Sequence, residues 1–158
     1  MLKINTYPKN KKHVIKLLEF YKELETYFKI LNIKPVVWGS LIYFAYTQDK
    51  NYEIHDIDLL LPLNRIYDTR KQLEKSGKYT IKFIEDWNIL QIFKNDLLIE
   101  VDPLEKYIES DEEFEIINYG DIKLIGVSKK TLKQLYYNAF QISNDKPQEH
   151  KRKYENLN

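Results

Sequence analysis

The chain has 158 residues, 43% of them hydrophobic and 14% aromatic, which excludes a disordered polypeptide and gives length for one core but not for two sizeable ones. Lysine and arginine number 25 against 24 aspartates and glutamates, so a net charge of +1 excludes a global field toward nucleic acid or membrane, and any such contact must be local. There is no cysteine, which removes disulfides, thiolate nucleophiles and thiolate zinc sites together, leaving oxygen as the donor for any metal.

The start, Met1-Leu2-Lys3-Ile4-Asn5, carries no apolar run, and no later stretch approaches the length of a membrane span, so a cytoplasmic location is expected. Val14, Leu17, Leu18, Tyr21, Leu24, Phe28 and Leu31 recur at helical spacing with charged residues between them, which predicts an amphipathic helix over residues 10–31. Lys34-Pro35 ends that region, and Val36-Val37-Trp38 reads as a short buried strand running into a tight turn at Gly39. Ser40 is then expected to cap a helix over residues 41–47. Residues 57–61, bracketed by Asp56 and Pro62, form a second apolar strand, and residues 65–75 a helix closed by Ser76-Gly77.

Beyond this point strands are expected over residues 79–85, 89–93 and 97–102, joined by short polar loops. A small hairpin follows over 114–119 and 122–125, around Gly120-Asp121. Ser128 caps a helix reaching residue 143, and the basic tail from Lys146 forms a last short helix after Pro147. The pattern predicts a single α/β (α+β) domain over residues 1–158: a mixed sheet flanked by helices over about 10–126, then a helical segment over about 128–156.

Chemistry is concentrated at Asp56-Ile57-Asp58, since residues two apart on a strand point to the same side. Such a pair is costly inside an apolar sheet without compensation, whereas at the open end of a strand it offers oxygen ligands to Mg²⁺ or Mn²⁺. A third acid lies on the strand Leu97-Leu98-Ile99-Glu100-Val101-Asp102, where Glu100 and Asp102 share one side. Either completes the site. Asp102 is preferred because it stands at the strand end beside Pro103, where exposure is expected to be easier.

A Gly-Ser turn opening a helix, then Asp-x-Asp, then an acid on a neighbouring strand resembles the pattern of the polymerase-beta-like nucleotidyltransferases. Here these elements read Trp38-Gly39-Ser40, His55-Asp56-Ile57-Asp58-Leu59-Leu60 and Ile99-Glu100-Val101-Asp102. The small size and the ending Lys146-Pro147-Gln148-Glu149-His150-Lys151 look most like small antibiotic nucleotidyltransferases and toxin-type nucleotidyltransferases of bacterial defence systems, over roughly residues 10–156. The resemblance implies an enzyme that moves a nucleoside monophosphate from an NTP, ATP among the candidates, to a hydroxyl acceptor with release of pyrophosphate. The acceptor would be a small molecule such as an antibiotic, or an RNA or protein. Gly39 and Ser40, at a helix N-terminus, would hold the β- and γ-phosphates. Asp56 and Asp58 would hold one metal and, with Asp102 or alternatively Glu100, a second about 3.5–4 Å away. Small relatives often complete the pocket with a second subunit or a second domain; here the helices after Ser128 are what is available, and a homodimer is expected.

Each feature also has a plainer meaning. Asp-x-Asp alone often marks a solvated strand end, and Gly39-Ser40 alone is a strand-to-helix turn; only the ordered combination favours catalysis. Trp38, Tyr43 and Tyr46 read as core or pocket wall, His55 as incidental to its turn, and Lys129, Lys130, Lys133 and the lysines from 146 to 153 as a solvated face from which one lysine could reach the triphosphate. Residues 56–67 lack the glycine and closing acid of a calcium loop, and no phosphate loop, dinucleotide fingerprint or nucleophile elbow occurs. Two competing readings are a non-catalytic nucleotide- or partner-binding module of the same fold and a glycosyltransferase that uses Asp-x-Asp.

Overall fold

The computed structural model describes residues 1–109, 112–142 and 146–158. The expected end of the fourth helix at Ser143 lies outside them. Eight strands are present among the described residues: β1 (Leu2–Ile4), β2 (Val36–Trp38), β3 (Ile57–Leu61), β4 (Thr80–Ile84), β5 (Ile89–Lys94), β6 (Leu97–Pro103), β7 (Phe114–Tyr119) and β8 (Ile122–Val127). The helices are α1 (Lys11–Ile30), α2 (Ser40–Thr47), α3 (Leu63–Ser76), α4 (Lys129–Ile142) and α5 (Pro147–Asn156), with a short 3-10 turn at Leu104–Lys106.

All strands join one mixed sheet in the order β1-β7-β8-β2-β3-β6-β5-β4. The centre is antiparallel between β2 and β3 and parallel between β3 and β6. Ile57, Ile99 and Ile92 form one cross-strand row and Leu59, Val101 and Leu90 the next, and all six are fully buried. Truncating one of them to alanine would cost about 2–5 kcal/mol. Of the predicted apolar stripe of α1, Val14, Leu17, Leu18, Tyr21, Leu24 and Phe28 are buried and are joined by Phe20, while Leu31 follows the helix and is half-buried. Helices α1 and α3 both pack against β6, while α2 meets β2, β3 and α4.

Strand β1 lies outside the sequence expectation. Three residues carry no readable period, and only Ile4 is buried; the strand exists because Leu2, Lys3 and Ile4 pair parallel with Ile117, Asn118 and Tyr119. Strand β8 runs two residues beyond its expected end, to Val127, because Val127 pairs with Phe114.

The cap of α2 also differs. Gly39, not Ser40, holds the capping position, with φ of 71°, and makes no side-chain cap. Ser40 is already helical, and its Oγ pairs instead with the Tyr52 hydroxyl at 2.8 Å. Ser128 does cap as predicted, accepting from the Thr131 N–H at 3.1 Å.

Candidate active site

The turn that ends β2 and the start of β3 face each other because those strands are antiparallel, with Trp38 opposite Asp58. Gly39 therefore lies directly against the Asp58 side chain. A Cβ on residue 39 would find the Asp58 Cγ at 3.0 Å and the carboxylate Oδ2 nearer still. Glycine is required twice over, by the positive φ and by this approach. The consequence is that the first turn of α2 begins beside a carboxylate.

On its other side β3 places Asp58 opposite Glu100 of β6, and β5 places Gln91 opposite Glu100. Directly opposed residues share a face, so Trp38, Asp58, Glu100 and Gln91 make one polar row across four strands. Gln91 Nε2 donates to Glu100 Oε2 at 2.8 Å and fixes that carboxylate. Asp102 pairs with Leu60, one step further along the same face.

The expectation that Asp102 would be the more exposed acid is reversed. β6 continues through Pro103, leaving Asp102 only 2% exposed while Glu100 is half-buried. Burial, and then the charge of Glu100, raises the Asp102 carboxyl to about 7, opposed by Lys106 and by a hydrogen bond from Tyr107. The Tyr107 ring stacks on Trp38 with centroids 4.9 Å apart, and burial followed by the Asp102 charge raises its phenol to about 12. The Trp38 Nε1 is buried with no hydrogen-bond partner among the described residues.

Asp58 carries the largest concentration of like charge. Burial, then Asp56, Glu100 and Asp102, push its carboxyl well above the usual carboxylate range, and Lys153 pulls it back. Burial also raises the half-buried Asp56, against His55, Lys153 and Lys146.

The segment that delivers Asp56 is anchored to α1. Asn10 Nδ2 donates to the Ile54 carbonyl at 2.7 Å and Asn10 Oδ1 accepts from the Ile54 N–H at 3.1 Å. His13 Nε2 also lies 3.1 Å from the His55 carbonyl. The His55 ring itself is exposed and pairs with Glu53 at 3.7 Å.

An open cleft of about 540 Å³ leads to Asp56 and Ser40, with walls from the loop carrying Tyr52 and from α5. Here the reading of the C-terminal lysines as a solvated face needs correction. Lys153 is only 6% exposed, and its Nζ sits over the rings of Tyr43, Tyr52 and Tyr136. His150, Lys153 and Leu157 are spaced 3 and 4 apart, and Leu157 is buried in the core. That spacing was the available signal; the density of charge in the tail obscured it. Tyr43 is core as predicted, and the half-buried Tyr46 donates to the Val127 carbonyl at 2.7 Å.

Asp56, Asp58 and Glu100 offer only carboxylate oxygens, the donors that suit Mg²⁺. Among the described residues no three His, Cys, Asp or Glu side chains are gathered as a ready metal cage. No helix among the described residues is long and apolar enough to cross a membrane.

No family model and no curated protein matches the sequence. Solved structures do match in fold. The lincosamide antibiotic adenylyltransferase LnuA, lincomycin-bound, superposes with a TM-score of 0.59 at 16% identity, over 96% of this chain and 98% of that one. ANT(2'')-Ia in complex with adenylyl-2''-tobramycin gives 0.57 at 13% identity, over 89% and 86%. An antigenic nucleotidyltransferase-like protein from Paracoccidioides brasiliensis gives 0.63 at 13% identity, over 95% and 77%. The fold of this chain is that of the nucleotidyltransferases.

Proposed function

We propose that this chain is an enzyme that transfers a nucleoside monophosphate from an NTP to a hydroxyl acceptor. The observation that carries the reading is the packing of Gly39 on Asp58, which sets a helix N-terminus beside an acid that faces a second acid, Glu100, on the next strand. Two of the fold neighbours are a lincosamide antibiotic adenylyltransferase and a protein in complex with adenylyl-2''-tobramycin, so a small hydroxylated molecule is the first acceptor class to test.

In this reading the backbone N–H groups at Gly39 and Ser40 cradle the phosphates. Asp56 and Asp58 would hold Mg²⁺ or Mn²⁺, with Glu100 as the third acid in place of the more deeply buried Asp102. When bound, the divalent cation would neutralise the triphosphate and polarise the phosphoryl oxygens. The acceptor oxygen forms a bond to the α-phosphorus while the bond from that phosphorus to the bridging oxygen breaks, and pyrophosphate leaves with the electron pair. Glu100 takes the hydroxyl proton, oriented for this by Gln91. Asp102 and Tyr107 support the wall beneath Trp38.

The test is incubation with each α-labelled NTP, Mg²⁺ and panels of hydroxylated antibiotics, RNA and proteins. Label on one acceptor with matching pyrophosphate release is expected, and both are lost in Asp58→Asn. Label transfer undiminished by Asp58→Asn would contradict the site.

A further inference from the structure

We infer that the cavity at the root of β2, at the opposite end of that strand from Gly39, is a separate ligand site for a small organic anion: one acid group on a compact apolar body. It stands apart from the nucleotidyl-transfer reading and uses none of its residues.

The C-terminal end of α1, the turn before β2 and strand β8 enclose about 240 Å³. At the volume of liquid water this holds roughly eight molecules, the size of one ring or branched chain carrying an acid group. None of its lining residues belongs to the cleft at Asp56. Its apolar floor comes from Phe28, Ile33 and Pro35, all buried, and from the half-buried Ile125. The negative end of α1 is partly answered within the chain, since the carbonyls of Tyr27, Phe28 and Lys29 accept from the N–H groups of Leu31, Ile33 and Asn32.

The polar lining decides the sign of the ligand. Lys29, Lys34 and Lys123 are exposed at the cavity, and among the described residues none of their ammonium groups makes an ion pair or a hydrogen bond. One carboxylate, Glu25, lines the cavity with these three cations, so the balance is positive. Tyr21 supplies an independent observation. It is only 3% exposed and lines the cavity, yet its hydroxyl has no hydrogen-bond partner among the described residues. A buried hydroxyl left without an acceptor costs about 1–3 kcal/mol. Burial, and then the charge of Glu25, raise this phenol above its usual value, so it keeps its proton and acts as a donor. A phenol donor, ammonium groups and an apolar floor together complement a carboxylate or phosphate head on an apolar body.

The experiment is an NMR titration of the isotope-labelled full chain with benzoate, phenyl phosphate, neutral benzamide and inorganic phosphate. Wild type is compared with Tyr21→Phe and with the double variant Lys34→Gln, Lys123→Gln. Benzoate or phenyl phosphate should give saturable amide shifts centred on Asn32, Ile33 and Ile125, and the tighter of the two identifies the head group as carboxylate or phosphate. Benzamide, which lacks the charge, and inorganic phosphate, which lacks the apolar body, should bind at least about tenfold more weakly. The double variant should lose about tenfold in affinity for the anion and Tyr21→Phe about 3–10-fold. The shifts should persist with ATP and Mg²⁺ present. Circular dichroism checks that each variant is folded, and the double variant, altered only at exposed positions, decides the matter should Tyr21→Phe not fold. The assignment is overturned by the absence of saturable shifts with both organic anions, by benzamide binding as tightly as they do, by displacement with ATP, or by unchanged affinity in either folded variant.

Discussion

Gly39 and Asp58 occupy each other's space: any side chain on residue 39 would enter the volume held by the Asp58 carboxylate. Gly39→Ala must therefore both adopt a left-handed backbone at φ 71° and displace the acid. The expected loss is about 2–4 kcal/mol of stability, read by urea unfolding, with NTP binding lost as well. An unchanged unfolding midpoint would show that the close approach is absent.

The third acid is separated by paired amide substitutions. Glu100 stands opposite Asp58 in the sheet, whereas Asp102 stands opposite Leu60 and is buried. Glu100→Gln should lower kcat about 10²–10⁴-fold with KM little changed, while Asp102→Asn stays within about tenfold of wild type. The opposite ordering, measured by steady-state kinetics on the same acceptor, would return the role to Asp102.

Asp102 also makes stability depend on pH. In the folded chain it keeps its proton up to about pH 7, whereas in the unfolded chain it releases it near the ordinary carboxylate value. Between those values the folded state binds more protons, so stability falls as pH rises and the full penalty is present above about pH 7. Asp102→Asn should then raise Tm at pH 8 by about 4–8 °C, for ~2 kcal/mol recovered, and change it little at pH 4. A Tm gain equal at both pH values would place the effect elsewhere.

Much of the fold was legible because its long elements have clear periods. The α1 stripe and the apolar β3 are read directly from spacing, and apart from Phe20, which was not predicted, and Leu31, which is only half-buried, the buried α1 residues are the predicted ones. The acid pair and its glycine turn were legible as an ordered motif. The choice between Glu100 and Asp102 was not, because it depends on the register of β6 against β3, a relation between residues some forty apart that no local pattern encodes. Lys153 was missed for a similar reason: its three tyrosines come from α2, the following loop and α4, and only the fold assembles them.

Asn10 tests how firmly the loop before the acid pair must be held. Its side chain makes two hydrogen bonds to Ile54, so Asn10→Ala should cost about 1–3 kcal/mol and free the residues leading into Asp56. Amide hydrogen exchange should accelerate at Ile54, and kcat/KM should fall while the core strands stay protected. Unchanged exchange at Ile54 would remove Asn10 as its anchor.

The most direct measurement is a crystal structure of the chain with an α,β-nonhydrolysable NTP and Mg²⁺. The expected result is a triphosphate on the Gly39-Ser40 turn, its reacting end at a cation held by Asp56 and Asp58 with Glu100 beside it. A nucleotide bound away from that turn, or bound there with neither aspartate at the cation, would contradict the proposed function.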